Sequence, residues 1–265
     1  MRAARVPVLA LILVMAAAGC GGDSPTAAAE PAWAAEWQAT VDGLRALQRA
    51  QEVPDRLVSG LPATLDGSEF DVEEYFAVFE HIDAEPGFVL DYVYRSAPDR
   101  GYPVLYVHRA DEPGYATWDE LEAATGIEAT DDGEYLSYLD QIYVVDGTPK
   151  GFFELAVLRV MGAQFYLHWH AQADDELVVV TGERLEEVLA PVAAQMGADA
   201  LEAARAADLT PEITFEGDLA TVGITTFTRW GGLQRRTLSM ERMFPQRILE
   251  EQVEIVAPCD CGITF

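Results

Sequence analysis

Apolar positions along the chain switch between helical and strand periods, and the switches mark the elements. From Ala32 to Gln51, Trp33, Trp37, Val41, Leu44 and Leu47 share one helical face, with Arg45, Gln48 and Arg49 elsewhere, so the spacing predicts a helix over 32–51. A loop through Pro54 and Pro62 leads to Asp71, which can cap a helix while Glu74 bonds back to it; Tyr75, Val78, Phe79 and Ile82 mark a buried face over 72–82. After Pro86 and Gly87 the period becomes two. Phe88–Arg95 and Tyr102–Arg109 read as an antiparallel pair joined by the turn-rich 96–101. Thr117 to Glu120 forms a second capping box, opening a short helix that stops at Gly126. Leu139–Val145 is the next strand, and the chain turns at Asp146–Pro149.

Phe152–Met161 is apolar on nearly every side, and periodicity alone does not separate a buried helix from a buried strand. Gly162-Ala163 suits a tight turn. Phe165–Trp169 and Leu177–Val180 are rich in strand-forming residues, so 151–180 is expected to be a three-stranded meander. Helical spacing returns over 182–196 through Leu185, Val188, Leu189 and Val192, with Pro191 expected to kink or divide the helix. Asp199 and Glu202 are expected to cap a helix over 199–207. The last third is strand again: Ile213–Glu216, Leu219–Arg229, Leu233–Met240 and Arg247–Val256, with Trp230-Gly231-Gly232-Leu233 the clearest hairpin. The expected class is α+β: antiparallel meanders in one or two sheets, with helices packed on one face.

The chain has 265 residues and is 50% hydrophobic, enough to bury a sizeable core. Its first 19 residues separate themselves from that body. Arg2 and Arg5 precede the apolar run Val8–Met15, and Ala16–Gly19 lie ahead of Cys20; this is the tripartite pattern of an export signal, too short in its apolar run to span a bilayer. The ending Ala-Ala-Gly-Cys, followed by Gly21-Gly22-Asp23-Ser24-Pro25, resembles a bacterial lipoprotein signal. That resemblance implies that Cys20 is lipidated and becomes the mature N-terminus, with two or three acyl chains holding the protein to a membrane. The expected organisation is a signal peptide over 1–19, a lipidated N-terminus and flexible tether over 20–31, and a single α+β domain over 32–265.

Formal charge is −28, and removing Arg2 and Arg5 with the signal leaves 15 basic against 45 acidic residues, or −30. A phosphate backbone is repelled by such a surface, so no nucleic-acid partner is expected. Lys150 is the only lysine and asparagine is absent, so turns needing positive φ fall to glycine and aspartate.

Two of the four histidines, His168 and His170, lie in the stretch from Gly162 to Gly182. On a strand they project from one face, as two ligands of one metal ion would, and Asp174, Asp175 and Glu176 sit where a hairpin brings a carboxylate back to them. Gly162-x5-His168-x-His170-x4-Asp175-x6-Gly182 resembles the first signature of cupins. That resemblance implies a β-barrel and a divalent metal (Zn²⁺, Mn²⁺ or Fe²⁺) on His168, His170 and Asp175. In the competing reading the histidines line an ordinary sheet face.

Cys259 and Cys261 stand one residue apart. They are read as a disulfide, a pair of metal-binding thiols or buried structural cysteines; in an extended segment their Cα atoms would sit near or beyond the limit for a bridge. Arg229, Arg235 and Arg236, with Arg242 and Arg247 nearby, gather the scarce positive charge, as an anion site or as partners of the protein's own carboxylates. The chain contains no phosphate-cradling glycine loop, no His-Glu-x-x-His and no Gly-x-Ser-x-Gly. Trp169-His170-Ala171 with Asp174-Asp175, Arg229-Trp230-Gly231-Gly232, and Asp260-Cys261-Gly262-Ile263 resemble fragments of a set of uncharacterised bacterial proteins, many with lipoprotein-like signals. The resemblance implies a shared fold and no activity. The functional expectation is a lipid-anchored binding or envelope-interaction protein without catalysis; a metal-dependent cupin-like enzyme and a purely structural envelope component are the alternatives.

Overall fold

The computed structural model describes residues 31–50, 74–97, 100–125, 143–162 and 176–261. Helix α1 (Ala32–Ala50) follows its predicted span. The second expected helix is short, α2 (Glu74–Val78), and β1 (Ile82–Ala84) follows it. The helix expected over 72–82 stops early because the backbone N–H of His81 donates to the Glu154 carboxylate at 2.8 Å, which draws the chain out of the helical hydrogen-bond pattern. Strands β2 (Phe88–Ala97) and β3 (Arg100–Arg109) form an antiparallel hairpin reaching two residues further into the turn than expected. Helix α3 (Trp118–Thr125) packs Leu121 against Val93 and Tyr106. Its capping box is present: the Thr117 hydroxyl accepts from Glu120 N–H at 3.3 Å, and the Glu120 carboxylate accepts from Ala116 N–H at 2.8 Å. Strand β4 (Tyr143–Val145) pairs antiparallel with β1.

The apolar run after it is a helix, α4 (Pro149–Met161), not the first strand of a meander. Thr148 caps it by accepting from Gly151 N–H at 3.1 Å, Pro149 stands at its first position, and Gly162 closes it with N–H to the Leu158 carbonyl, rather than turning a hairpin. Its uniform hydrophobicity has a spatial cause. One side lies under α1, where Trp37 stacks on Phe153 with ring centroids 4.7 Å apart, and another lies on a sheet; residues 151 to 158 are all buried. Trp33 and Trp37 therefore pack on the core.

That sheet contains β5 (Leu177–Val178), β6 (Glu212–Glu216), β7 (Leu219–Thr228), β8 (Gly232–Glu241) and β9 (Ile248–Ala257). It is open and antiparallel, in the order β5-β7-β8-β9, with β6 sharing the β5 edge of β7. Among the described residues no closed barrel forms; the sheets are those of an α+β fold and not of the cupin-like alternative. Alternate residues of β7 and β8 (Ala220, Val222, Ile224, Leu238, Met240) face α4. The other face is polar, carrying Thr214, Thr221, Arg235 and Thr237. Among the described residues β9 has no strand on its far side. Two register shifts against β8 interrupt its ladder.

Helices α5 (Gly182–Leu189) and α6 (Ala198–Ala206) close a second cluster over the other end of the sheet, packing Leu185, Leu189 and Met196 with Phe227 and Leu233. Pro191 lies just past the end of α5, as its missing N–H requires. Gly197 occupies the N-cap of α6, so Asp199 stands within the first turn instead of capping it. No helix among the described residues is long and apolar enough to cross a membrane. The architecture is α+β, with antiparallel sheets and the larger one covered by helices on one face.

Candidate functional site

Cys20, His168, His170 and Asp175 lie outside the described residues. Glu176, the alternative carboxylate to Asp175, is at the start of β5 and accepts from the Arg236 guanidinium through both oxygens at 2.7 and 2.6 Å. Glu251 is a second partner of Arg236, and Arg159 stands 3.7 Å from Glu251, which makes a chain of alternating charges on the helix-covered face. Among the described residues no group of three or more His, Cys, Asp or Glu side chains is placed to hold a metal ion.

The three arginines do not converge. Arg235 and Arg236 are neighbours on β8 and so project from opposite faces. Arg229 is exposed in the turn before β8. Arg235 lies on the polar face in a shallow cleft lined by Glu212, Thr214, Thr221, Gly223 and Thr237. Its guanidinium donates to the Thr210 carbonyl at 3.0 Å and the Thr225 hydroxyl at 3.3 Å, and stands 3.8 Å from Glu212. Gly223 leaves the floor open for it, since a β-carbon there would sit 2.7 Å from the guanidinium. The cleft therefore offers a held cation, a carboxylate and threonine hydroxyls on one solvent-facing surface. Arg247 pairs with Glu241 through two bonds of 3.0 and 3.1 Å, and Arg242 lies over the Phe215 ring, 4.5 Å from its centroid.

Cys259 and Cys261 form a disulfide, and both are buried. Their Cα atoms are 5.2 Å apart, inside the usual span for a bridge. The segment is not extended: β9 ends at Ala257, and Cys261 N–H donates to the Arg229 carbonyl at 2.8 Å, bringing the chain back beside the β7–β8 turn.

The two histidines outside the His-x-His pair each meet an aspartate. His81 Nδ1 lies 2.7 Å from Asp146 Oδ2, while the other oxygen of Asp146 accepts from the Thr148 N–H and hydroxyl at 2.9 and 2.7 Å. This fixes the tautomer with Nδ1 donating and orients the ring at the start of α4. Burial alone would raise the Asp146 pKa, but the bonds from His81 and Thr148 outweigh it and hold the carboxyl below its ordinary value. Lys150, in the first turn of α4, pairs with Glu36 at 2.8 Å and Glu80 at 3.4 Å. Beneath them Glu154 is fully buried. In the second pair His108 Nε2 is 3.4 Å from Asp91, whose carboxylate also accepts from the Tyr106 hydroxyl at 2.9 Å. Burial, then the charge of Asp91, pushes the Tyr106 hydroxyl pKa well up.

Burial raises the Glu154 pKa despite the N–H groups of His81 and Glu80 that point at it. A carboxyl whose folded pKa lies above its unfolded value stabilises the fold fully below the unfolded pKa and loses that contribution as pH rises through the folded one. Glu154→Gln, a mimic of the protonated form, should therefore gain stability relative to the parent as pH increases from about 4 to 8. Urea unfolding of both proteins at several pH values checks this; a difference that stays flat or shrinks with pH contradicts it.

Nothing in the spacing of His81 and Asp146, 65 residues apart, marks them as a pair in the sequence. Comparison of the chain with protein-family models, with curated proteins and with solved structures finds no match.

Proposed function

We propose that this chain is a lipid-anchored extracytoplasmic protein whose folded body binds another component of the cell envelope without catalysis. The observation that carries the reading is the buried Cys259–Cys261 disulfide. Such bonds form and persist in oxidising compartments, and an export signal ending at Cys20 is the route to one. The acidic charge of −28 agrees with a body kept soluble at a crowded surface. The polar sheet face, with Arg235, Glu212 and threonine hydroxyls around one shallow cleft, supplies donors and acceptors for a polar ligand.

Cys20→Ala tests the anchor: the parent should partition with membranes and carry the mass of a processed, acylated chain, and the variant should do neither. Unchanged membrane association and unchanged mass would remove the assignment. Alkylation of the denatured, unreduced parent should find no free thiol, because Cys20 is acylated and Cys259 and Cys261 are paired; reduction should release two.

A further inference from the structure

We infer that the end of the sheet formed by Leu219, Met243 and Phe244 rests on the lipid surface to which Cys20 anchors the chain. The inference rests on the lipid-anchor reading and extends it to the orientation of the folded body.

The segment after β8 exposes Met243 at 72% and Phe244 at 40%, and Leu219 at the start of β7 is exposed at 40%. These residues are neighbours: Arg242 N–H donates to the Asp218 carbonyl at 2.9 Å, and the Arg242 guanidinium donates to the Gly217 carbonyl at 3.1 Å. Large apolar side chains exposed together at the tip of a connection mark a contact surface. Arg242 and Arg247 flank them with their guanidinium groups held by the body, on the Phe215 ring and on Glu241, so the apolar side chains are the part of the tip left for a contact.

The position of α1 indicates lipid as the occupant. Glu36, in the second turn of α1, pairs with Lys150 at the start of α4 at 2.8 Å. Phe152, half a turn further along α4, meets Phe215 with ring centroids 5.4 Å apart, and Arg242 covers that same Phe215 ring. The Gln246 side-chain amide, oriented to satisfy its neighbours, donates to the Tyr143 carbonyl on β4 at 2.6 Å. The start of α1 and the apolar tip thus lie at one pole of the body. Only residues 21–31 separate Cys20 from α1, a reach of roughly 40 Å at full extension. A tethered body meets its own bilayer at high effective concentration, so two or three apolar side chains suffice for a contact that a free protein would not hold. A second copy is a poorer occupant, since both bodies carry the same large negative charge.

The test uses the full-length, lipidated protein in phosphatidylcholine vesicles, with a nitroxide placed at Met243→Cys or, separately, at Trp230→Cys. Trp230 lies in the turn at the opposite end of β8 and is exposed at 41%. The ratio of collisions with oxygen to collisions with an aqueous nickel chelate should be about tenfold higher at position 243 than at 230. Adding Phe244→Glu should lower the ratio at 243 several-fold without changing flotation with the vesicles. Equal ratios at the two positions, in protein that floats, would overturn the inference and leave the anchor standing. Failure of the parent to float, as for Cys20→Ala, would overturn both. Shielding of position 243 in native envelopes but not in pure vesicles would assign the surface to a protein partner and overturn the lipid contact.

Discussion

Phe153→Ala is expected to destabilise the protein by about 3–5 kcal/mol, the loss of a fully buried aromatic side chain together with the cavity it leaves. Phe153 has no exposed surface and stacks on Trp37 across the α1–α4 contact. Its neighbours have little freedom to collapse into the space. On one side α1 is held by Gln38, which accepts from Val180 N–H at 2.8 Å, and by Gln48, which donates to the Met161 carbonyl at 2.6 Å. On the other the sheet is fixed by its own ladder. Phe153→Leu keeps much of the volume and should cost less than half as much. Urea unfolding at unchanged m-value measures both. A loss under about 1 kcal/mol for the alanine variant would mean that α4 is not the packed centre of the fold.

Gly232→Ala should cost about 3 kcal/mol or more, while Gly231→Ala beside it should cost under about 1 kcal/mol. The two residues look alike in sequence and differ in what surrounds them. Gly232 has φ +83°, and a β-carbon there would collide with the Ala257 carbonyl and approach the Cys259 N–H, both backbone groups that cannot rotate away. A β-carbon on Gly231 meets chiefly the end of the Gln234 side chain, which can move. Because the collision at Gly232 displaces the chain between β9 and Cys259, the same variant should let a reductant open the Cys259–Cys261 bond at lower concentration than in the parent. Equal stability of the two variants would show that the β7–β8 turn does not require the close approach.

Much of this fold is legible where one face of an element is buried and the other is wet. Period two marks β6, whose residues alternate between half-buried and exposed, and the stripe of Trp37, Val41 and Leu44 marks α1 for the matching reason at helical spacing. Phe152–Met161 is not legible in this way. A helix enclosed on all sides has no polar face to reveal its period, and the signals that open it, Thr148 as cap and Pro149 at the first position, read equally as part of the turn at 146–149. The short α2 depends on Glu154, a partner more than 70 residues away, and no local pattern carries that information. The same limit applies to the site. Adjacent arginines on a strand already imply opposite faces, so the separation of Arg235 from Arg236 follows from the sequence once β8 is placed. The His81–Asp146 pair exists only because β1 and β4 come together.

The outermost strand of the large sheet bears on how crowded copies of this protein behave. Open ladders invite the same strand of another molecule to continue the sheet, the route by which β-proteins stack into fibres. Leu249, Val253 and Ile255 on β9 are all exposed and would favour such stacking. Glu250 and Glu254 lie on one face of the strand and Glu251 on the other with Val253 and Ile255, so two copies laid edge to edge would bring carboxylates against carboxylates. The two register shifts against β8 also break the flat repeat that a growing stack needs. The strand that ends the sheet among the described residues thus carries its own barrier to polymerisation.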